Sequence, residues 1–156
     1  MAQAQLADST ASLYAQFTVG RHRLLLPQGD IRSLESVLDV TLNAPLAKSV
    51  GWIVFQGENW PVYSLDEDLK PQSERSAKQR ICALLSIADG YVGLLCEDSA
   101  TRPRAGARVQ PLPAAMAQTG SFVHGFALYP DGVGLLSSAA ALAAFLEAPA
   151  RDVPPV

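Results

Sequence analysis

The side chains able to do chemistry are few in this sequence and stand far apart. His22 lies between two arginines and His124 stands beside a glycine, so neither histidine has a neighbouring carboxylate or metal ligand. Cys82 and Cys96 lie inside apolar runs and do not form a C-x-x-C pair. Zinc sites and Cys–His nucleophiles need such groups at defined spacings. We therefore predict two buried, reduced thiols, a solvated turn residue at His22, a structural or surface His124, and no metal.

The charged clusters give no better case for catalysis. The acidic residues 66–68 and 97–98 could act as acid–base pairs or bind calcium, but their spacing matches no EF-hand loop. Arg102, Arg104 and Arg108 form a basic run that suits an acidic partner surface, an anionic nucleotide or a flexible solvated loop. No glycine-rich phosphate loop is present. The sequence predicts no catalytic residue and no cofactor.

Composition excludes other classes of function. The chain has 156 residues, enough for one domain or two small lobes around one core, and 49% of them are hydrophobic. Its net charge of −3 argues against binding nucleic acid. We predict no membrane insertion and a cytoplasmic location, because no long apolar run and no signal-like N-terminus is present. Only 17% of the residues are charged, which favours an apolar surface for protein partners.

Turn signals divide the chain into hairpins of short strands, which favours an antiparallel barrel or sandwich. The strongest of these signals are the Asp-Gly pairs at 89–90 and 131–132. A third turn is expected at residues 57–59. The predicted strand pairs are residues 13–19 with 24–27, 53–55 with 60–64, 79–87 with 91–97, and 122–129 with 133–136.

The connecting segments receive separate predictions. Asp30 is expected to cap a short helix over residues 31–37, and Ser138 a helix over residues 139–146. Residues 43–45 are a predicted break, and 65–69 a single helical turn. Residues 70–78 are expected to cross between two lobes, and 98–114 to be irregular. One domain of two β lobes is predicted over 13–147, between a flexible N-terminus (1–12) and a flexible tail (148–156).

The most informative segment is residues 51–65, because it is apolar and holds no nucleophile, metal ligand or phosphate loop. Its aromatic residues Trp52, Phe55, Trp60 and Tyr63 are interleaved around Gly57. Alternating aromatic side chains fill barrel interiors, whereas an exposed Trp or Tyr is typical of a protein-contact hot spot. Such a segment favours an adaptor over an enzyme.

This segment resembles the signature G-V-x-N-L-R-G-x-x-x-P-V-x-D-L of the CheW-like domain, the scaffold that couples receptors to the kinase CheA in bacterial chemotaxis. Weaker similarities follow in the same order from Leu13 to Leu146, including Gly93 to Glu97 against V-G-L-V-V-D. The resemblance implies a mainly β fold of two five-stranded SH3-like barrels on a joint hydrophobic core, with short helices and a C-terminal helix. It also implies a noncatalytic role in bridging a chemoreceptor's helical hairpin and a CheA-type histidine kinase.

Three positions depart from the family pattern. Ser33 stands where the family has the glutamate of V-x-E-I, Gln56 where it has the arginine before the signature glycine, and Ser64 where it has the aspartate of P-V-x-D-L. In the family the glutamate and arginine are thought to pair, and losing both leaves no unpaired charge. The departures favour a divergent accessory member, such as one in a type IV pilus (twitching) chemosensory system.

The predicted mechanism is an apolar groove between the lobes that receives a helical partner. We expect it to be lined near Ile31, Leu34, Phe55, Gln56 and Gly57, and the partner-binding residues to include Trp60 as well. A second surface on one lobe is expected to pair with a similar lobe of the kinase.

Two alternatives remain open. One is a module of the same fold recruited to another partner or ligand, such as a twitching regulator, a response regulator or a cyclic nucleotide, bound through Arg102, Arg104 and Arg108. The other is a small β-barrel enzyme, which would need a deep polar pocket holding a perturbed carboxylate or histidine.

Overall fold

The computed structural model describes residues 13–42, 48–113 and 121–147. Those residues form thirteen strands and one α-helix. The predictions for 1–12, 43–45 and 148–156 lie outside them. The strands are β1 (Leu13–Val19), β2 (His22–Pro27), β3 (Ile31–Ser36), β4 (Val40–Thr41), β5 (Ser49–Phe55), β6 (Glu58–Leu65), β7 (Pro71–Gln72), β8 (Ile81–Ile87), β9 (Gly90–Cys96), β10 (Asp98–Pro103), β11 (Arg108–Pro111), β12 (Gly125–Tyr129) and β13 (Gly132–Leu136), and the helix is α1 (Ala139–Glu147).

The strands build two sheets, each of which forms one lobe. Lobe 1 has the order β10-β1-β2-β13-β12-β11, and lobe 2 has the order β3-β8-β9-β6-β5-β4, with β7 paired to β6. Within each lobe one central pair is parallel, β2 with β13 and β9 with β6, and every other pair is antiparallel. The predicted mainly β fold of two lobes is confirmed.

The two lobes share one topology. Lobe 2 is a continuous stretch of chain, whereas lobe 1 takes two strands from before that stretch and four from after it. When the strands of lobe 1 are taken in the order β10, β11, β12, β13, β1 and β2, they occupy the same places in the sheet as β3, β4, β5, β6, β8 and β9 of lobe 2. Lobe 1 is therefore a cyclic permutation of lobe 2 along the chain.

Several short strands are buried on both faces, which explains their unbroken apolar sequences. In β2, Leu24 and Leu26 point into a core shared by both lobes, while Leu25 points into the separate core of lobe 1. In β8, Ala83 faces the shared core and Leu84 faces the core of lobe 2. Full burial of one leucine stabilises a fold by roughly 1.5–3 kcal/mol. These strands consequently join the lobes into one unit.

The helix predicted over residues 31–37 is wrong, because this segment forms the edge strand β3 and a 3-10 turn over Val37–Asp39. Burial alternates along β3 with a period of two residues, and the strand pairs with β8. The helical spacing of its apolar residues is overridden by this pairing. Asp30 nevertheless caps a helix, since its Oδ2 accepts the Ala139 N–H of α1 at 2.9 Å. Ser138 also caps α1, as predicted, through the Ala141 N–H at 3.1 Å.

Two connecting segments also differ from expectation. The irregular stretch predicted over 98–114 contains the strands β10 and β11, which end at prolines on the two edges of lobe 1. Proline is tolerated there because an edge strand leaves one row of backbone groups unpaired. The predicted crossing at 70–78 is wrong, because β6, β7 and β8 all belong to lobe 2. The chain instead crosses at Gln28–Asp30 and Glu97. The sheet of lobe 1 has six strands and that of lobe 2 has seven, where the resemblance implied five in each.

Candidate functional site

An apolar groove lies between the two lobes, at a place where no strand of the described residues covers the shared core. Its two sides are β10 and β3, the equivalent edge strands of the two lobes, and β1 contributes to its floor. The groove has a volume of about 230 Å³ and is lined by Ala15, Phe17, Gln28, Ile31, Leu34, Ser99, Ala100 and Thr101. None of these side chains is charged. Gln28 Oε1 is buried without a hydrogen-bond partner among the described residues.

The structure brings two of the six predicted site residues into this groove. Ile31 is partly buried against the shared core, and Leu34 is 49% exposed. The remaining four, Phe55, Gln56, Gly57 and Trp60, do not line the groove. They lie around the hairpin turn between β5 and β6.

Phe55 and Trp60 belong to an aromatic cluster that closes one end of lobe 2. Both rings pack edge-on against Tyr91, with centroids at 5.1 and 5.2 Å. The Trp60 indole N–H donates to the Phe55 carbonyl at 3.1 Å. The Trp60 ring also fills the space beside Gly90, where an added Cβ would lie 2.3 Å from it. Trp60 therefore has a structural role here.

Gln56 and Gly57 form the exposed turn of this hairpin. Their φ angles are +53° and +79°, the left-handed pair that a two-residue type I′ turn requires. The predicted turn at 57–59 is thus displaced by one residue. Apart from its two chain neighbours, no described residue has an atom within 4 Å of a Cβ built on Gly57, so the glycine is needed for its backbone angle and not for space.

Arg32 connects the groove to the aromatic cluster, and sequence reasoning missed it. It lies on β3 between Ile31 and Leu34, and its guanidinium carbon is 5.4 Å from the centroid of the Phe55 ring. A cation over an aromatic ring at an exposed site contributes about 0.5–1 kcal/mol. A charged residue between two groove residues was the available signal.

The departures from the family signature have different surroundings. Ser64 is fully buried, and its hydroxyl donates to Gln79 Oε1 and accepts from Gln72 Nε2, each at 2.9 Å. This network lies away from the groove. Ser33 stands beside the groove residues on β3, and its hydroxyl is buried without a hydrogen-bond partner among the described residues.

The basic run is not a flexible loop. Arg102 makes two hydrogen bonds to Asp131 at 2.7 and 3.0 Å and stacks on Tyr129 at 4.1 Å. These hydrogen bonds hold the pKa of Asp131 at about 2, below its usual range. Arg104 stacks on the ring of Tyr14 at 4.7 Å, and Arg108 is exposed on β11. Arg102 is therefore already engaged by a carboxylate, which weakens the case for an anionic ligand.

A polar pocket of about 410 Å³ lies where the β1–β2 turn of lobe 1 meets lobe 2. Glu97 accepts the Gly20 N–H at 2.8 Å, and His22 Nε2 lies 2.8 Å from the Glu67 carbonyl, to which it donates. Contacts between lobes thus hold the histidine, which begins β2 and is partly buried instead of lying free in a turn. His124 is exposed.

The thiols of Cys82 and Cys96 are buried and form no disulfide, as the sequence predicted. Burial raises the pKa of Cys82 to about 12 and also raises the pKa of Cys96. Across 13–42, 48–113 and 121–147, no group of three His, Cys, Asp or Glu side chains could hold a metal. The same residues include no helix long and apolar enough to cross a membrane.

Comparison with known proteins gives one informative result. No protein-family model matches the chain, and no curated protein matches it in sequence. Among solved structures, the chain is similar to the scaffolding protein CheW of Thermoanaerobacter tengcongensis, with a TM-score of 0.63 and 19% sequence identity over 81% of this chain and 88% of that one. The two lobes, their shared core and the C-terminal helix agree with that likeness. The chain therefore has the CheW-like fold.

Proposed function

We propose that this protein is a noncatalytic adaptor of bacterial chemosensory signalling, which couples a chemoreceptor to a CheA-type histidine kinase in the cytoplasm. The observation that carries the proposal is the uncharged groove between equivalent edge strands of a CheW-like fold. A groove of this kind can receive the apolar face of a helix. No cofactor or metal enters the mechanism.

The size of the groove supports a protein partner over a small ligand. Pockets for drug-sized ligands have volumes of roughly 300–1,000 Å³, and this groove has about 230 Å³. It suits a few side chains of a larger partner. Ile31 and Leu34 would provide the apolar contacts, with the receptor hairpin as the occupant.

A second contact, with a lobe of the kinase, would use the open edges of the sheets. β4 and β11 are the outer edges of lobe 2 and lobe 1. Exposed apolar side chains lie beside both, namely Leu38 and Val54 near β4 and Val109 on β11, with exposures of 89%, 56% and 58%. Exposed apolar groups at an unpaired edge favour contact with another sheet.

The proposal includes an accessory role, for example in a type IV pilus system. Ser33, beside the groove, and Gln56, at the turn between β5 and β6, stand where the family has its glutamate and arginine. We expect partner choice to differ accordingly from that of a standard chemoreceptor array.

The proposal is tested by binding of the purified protein to the cytoplasmic fragment of a chemoreceptor and to the CheA-type kinase from the same organism. Leu34→Arg should weaken receptor binding at least tenfold, because it places a charge in the groove. Val133→Arg is the matched control, since Val133 is similarly exposed (51%) but does not line the groove. If the folded wild-type protein binds neither partner, the adaptor function is wrong.

A further inference from the structure

A free positive charge stands beside the uncharged groove. Arg32 is exposed on β3, between the groove residues Ile31 and Leu34. Its guanidinium lies over the Phe55 ring, and within the described ranges it makes no ion pair. The ring holds the guanidinium in place without neutralising it.

The shape of the groove's edges favours a helix as its occupant. A strand would have to add to β3 or β10, but the register of β3 shifts between Ile31 and Ser33, and β10 ends at Pro103. Bulges and prolines interrupt the row of backbone groups that another strand needs. A helix satisfies its own backbone hydrogen bonds and requires only side-chain contacts.

A helix laid on Ile31 and Leu34 would also cover Arg32 in part. Removing a guanidinium from water is costly unless an anion compensates it. We infer that the groove selects a helix that carries a carboxylate beside its apolar anchors, and that Arg32 is the residue that pairs with this carboxylate. This inference rests on the proposed adaptor function and adds the charge of the partner surface.

The experiment measures binding of the purified chemoreceptor cytoplasmic fragment to three variants. Arg32→Glu reverses the charge, Arg32→Lys keeps it, and Arg104→Glu is the control. Arg104 is also exposed, also stacked on an aromatic ring and also without an ion pair among the described residues. Unlike Arg32, which directly follows the groove residue Ile31, it has no chain neighbour that lines the groove. Arg32→Glu should weaken binding at least tenfold, whereas Arg104→Glu should change it less than twofold and Arg32→Lys less than fivefold.

Salt dependence and charge exchange complete the test. Wild-type binding should weaken as salt is raised, and Arg32→Ala should flatten that dependence. Replacing one receptor Glu or Asp with Lys should restore binding to Arg32→Glu. The role of Arg32 is refuted, and the adaptor function stands, if Leu34→Arg loses receptor binding while Arg32→Glu binds like the wild type. The same conclusion follows if Arg32→Glu and Arg104→Glu weaken receptor binding equally. If the wild-type protein binds no receptor, both ideas are refuted.

Discussion

The two lobes share a strand order but close their ends with different chemistry. The hairpins of the two lobes can be aligned by their two-residue turns and by their parallel strand pairs. Val62, which lies opposite Gly93 in lobe 2, then corresponds to Leu136, which lies opposite Leu25 in lobe 1. In this alignment the Phe55 position of lobe 2 is taken by Tyr129 in lobe 1.

Lobe 2 closes with aromatic rings, and lobe 1 closes with an ionic cluster. The Tyr91 position of lobe 2 corresponds to Arg23 in lobe 1, which lies 3.4 Å from Asp131. Arg102 completes this cluster from β10. The topology therefore fixes the backbone and leaves the closing side chains free to diverge. Arg32 connects the aromatic end of lobe 2 to the groove.

The lobes also differ in what packs against the glycines of their parallel strands. In lobe 1 the large residue Leu25 lies on β2 against Gly134 on β13, where an added Cβ would be 2.5 Å from the leucine. In lobe 2 the corresponding positions are Gly93 on β9 and Trp60 on β6. An added Cβ on Gly93 would instead lie 2.8 Å from Cys82 Sγ and 2.9 Å from the side chain of Val62, and Trp60 packs beside Gly90. The close contact of Leu25 with Gly134 therefore has no direct counterpart in lobe 2.

The largest predicted effect breaks this contact in lobe 1. Leu25→Ala should lower the free energy of unfolding by about 3 kcal/mol, because it removes a fully buried leucine. Gly134→Ala should cost about 1–2 kcal/mol alone through overpacking, but close to nothing in the Leu25→Ala background. Urea denaturation measures the coupling. Gly93→Ala, which crowds Val62 in lobe 2, should be additive with Leu25→Ala; additive effects of Leu25 and Gly134 would contradict the prediction.

A smaller effect is expected at the turn of lobe 2. Gly57→Ala should destabilise the protein by about 1–2 kcal/mol, because an L-residue is strained at φ +79°. Gln56→Gly, at the neighbouring left-handed position, should be neutral or stabilising. Thermal unfolding of both variants checks this. Equal destabilisation by the two substitutions would show that side-chain contacts, and not backbone angles, govern the turn.

The smallest effect concerns the ionic end of lobe 1. The pKa of Asp131 is lowered from 3.8 to about 2 in the folded protein, so its ionised form favours folding. Its contribution should be complete above pH 3.8 and disappear as the pH falls towards 2. Asp131→Asn should flatten stability over this interval and should matter less in high salt. Identical acid profiles for the variant and the wild type would show that solvent screens the cluster completely.

The sequence predicted elements marked by strong local signals. The Asp-Gly turns, the Ser138 cap and the apolar strands were identified because each depends on residues close together in the chain. Strands β3, β10 and β11 were missed because they are edge strands of mixed polarity, whose pairing is decided by the open edge of a neighbour. The shared topology left no internal repeat to find, because lobe 1 is split between two distant segments.

The candidate site was predictable only in part. Ile31 and Leu34 were placed in the groove from the family resemblance, although their segment was wrongly expected to be helical. Phe55, Gln56, Gly57 and Trp60 were grouped with them because they occupy the strongest signature. That signature reflects a hairpin whose turn needs left-handed angles and whose end needs packed rings.

The division of lobe 1 also has a consequence for biosynthesis. Asp30 and Ala139, which meet at the cap of α1, stand 109 residues apart in the chain. During translation β2 emerges long before β13, so its run of three leucines remains an unpaired edge while lobe 2 is being made. Such edges are prone to pair with other chains. Strand β13 and helix α1 therefore cover this edge only after lobe 2 has been synthesised.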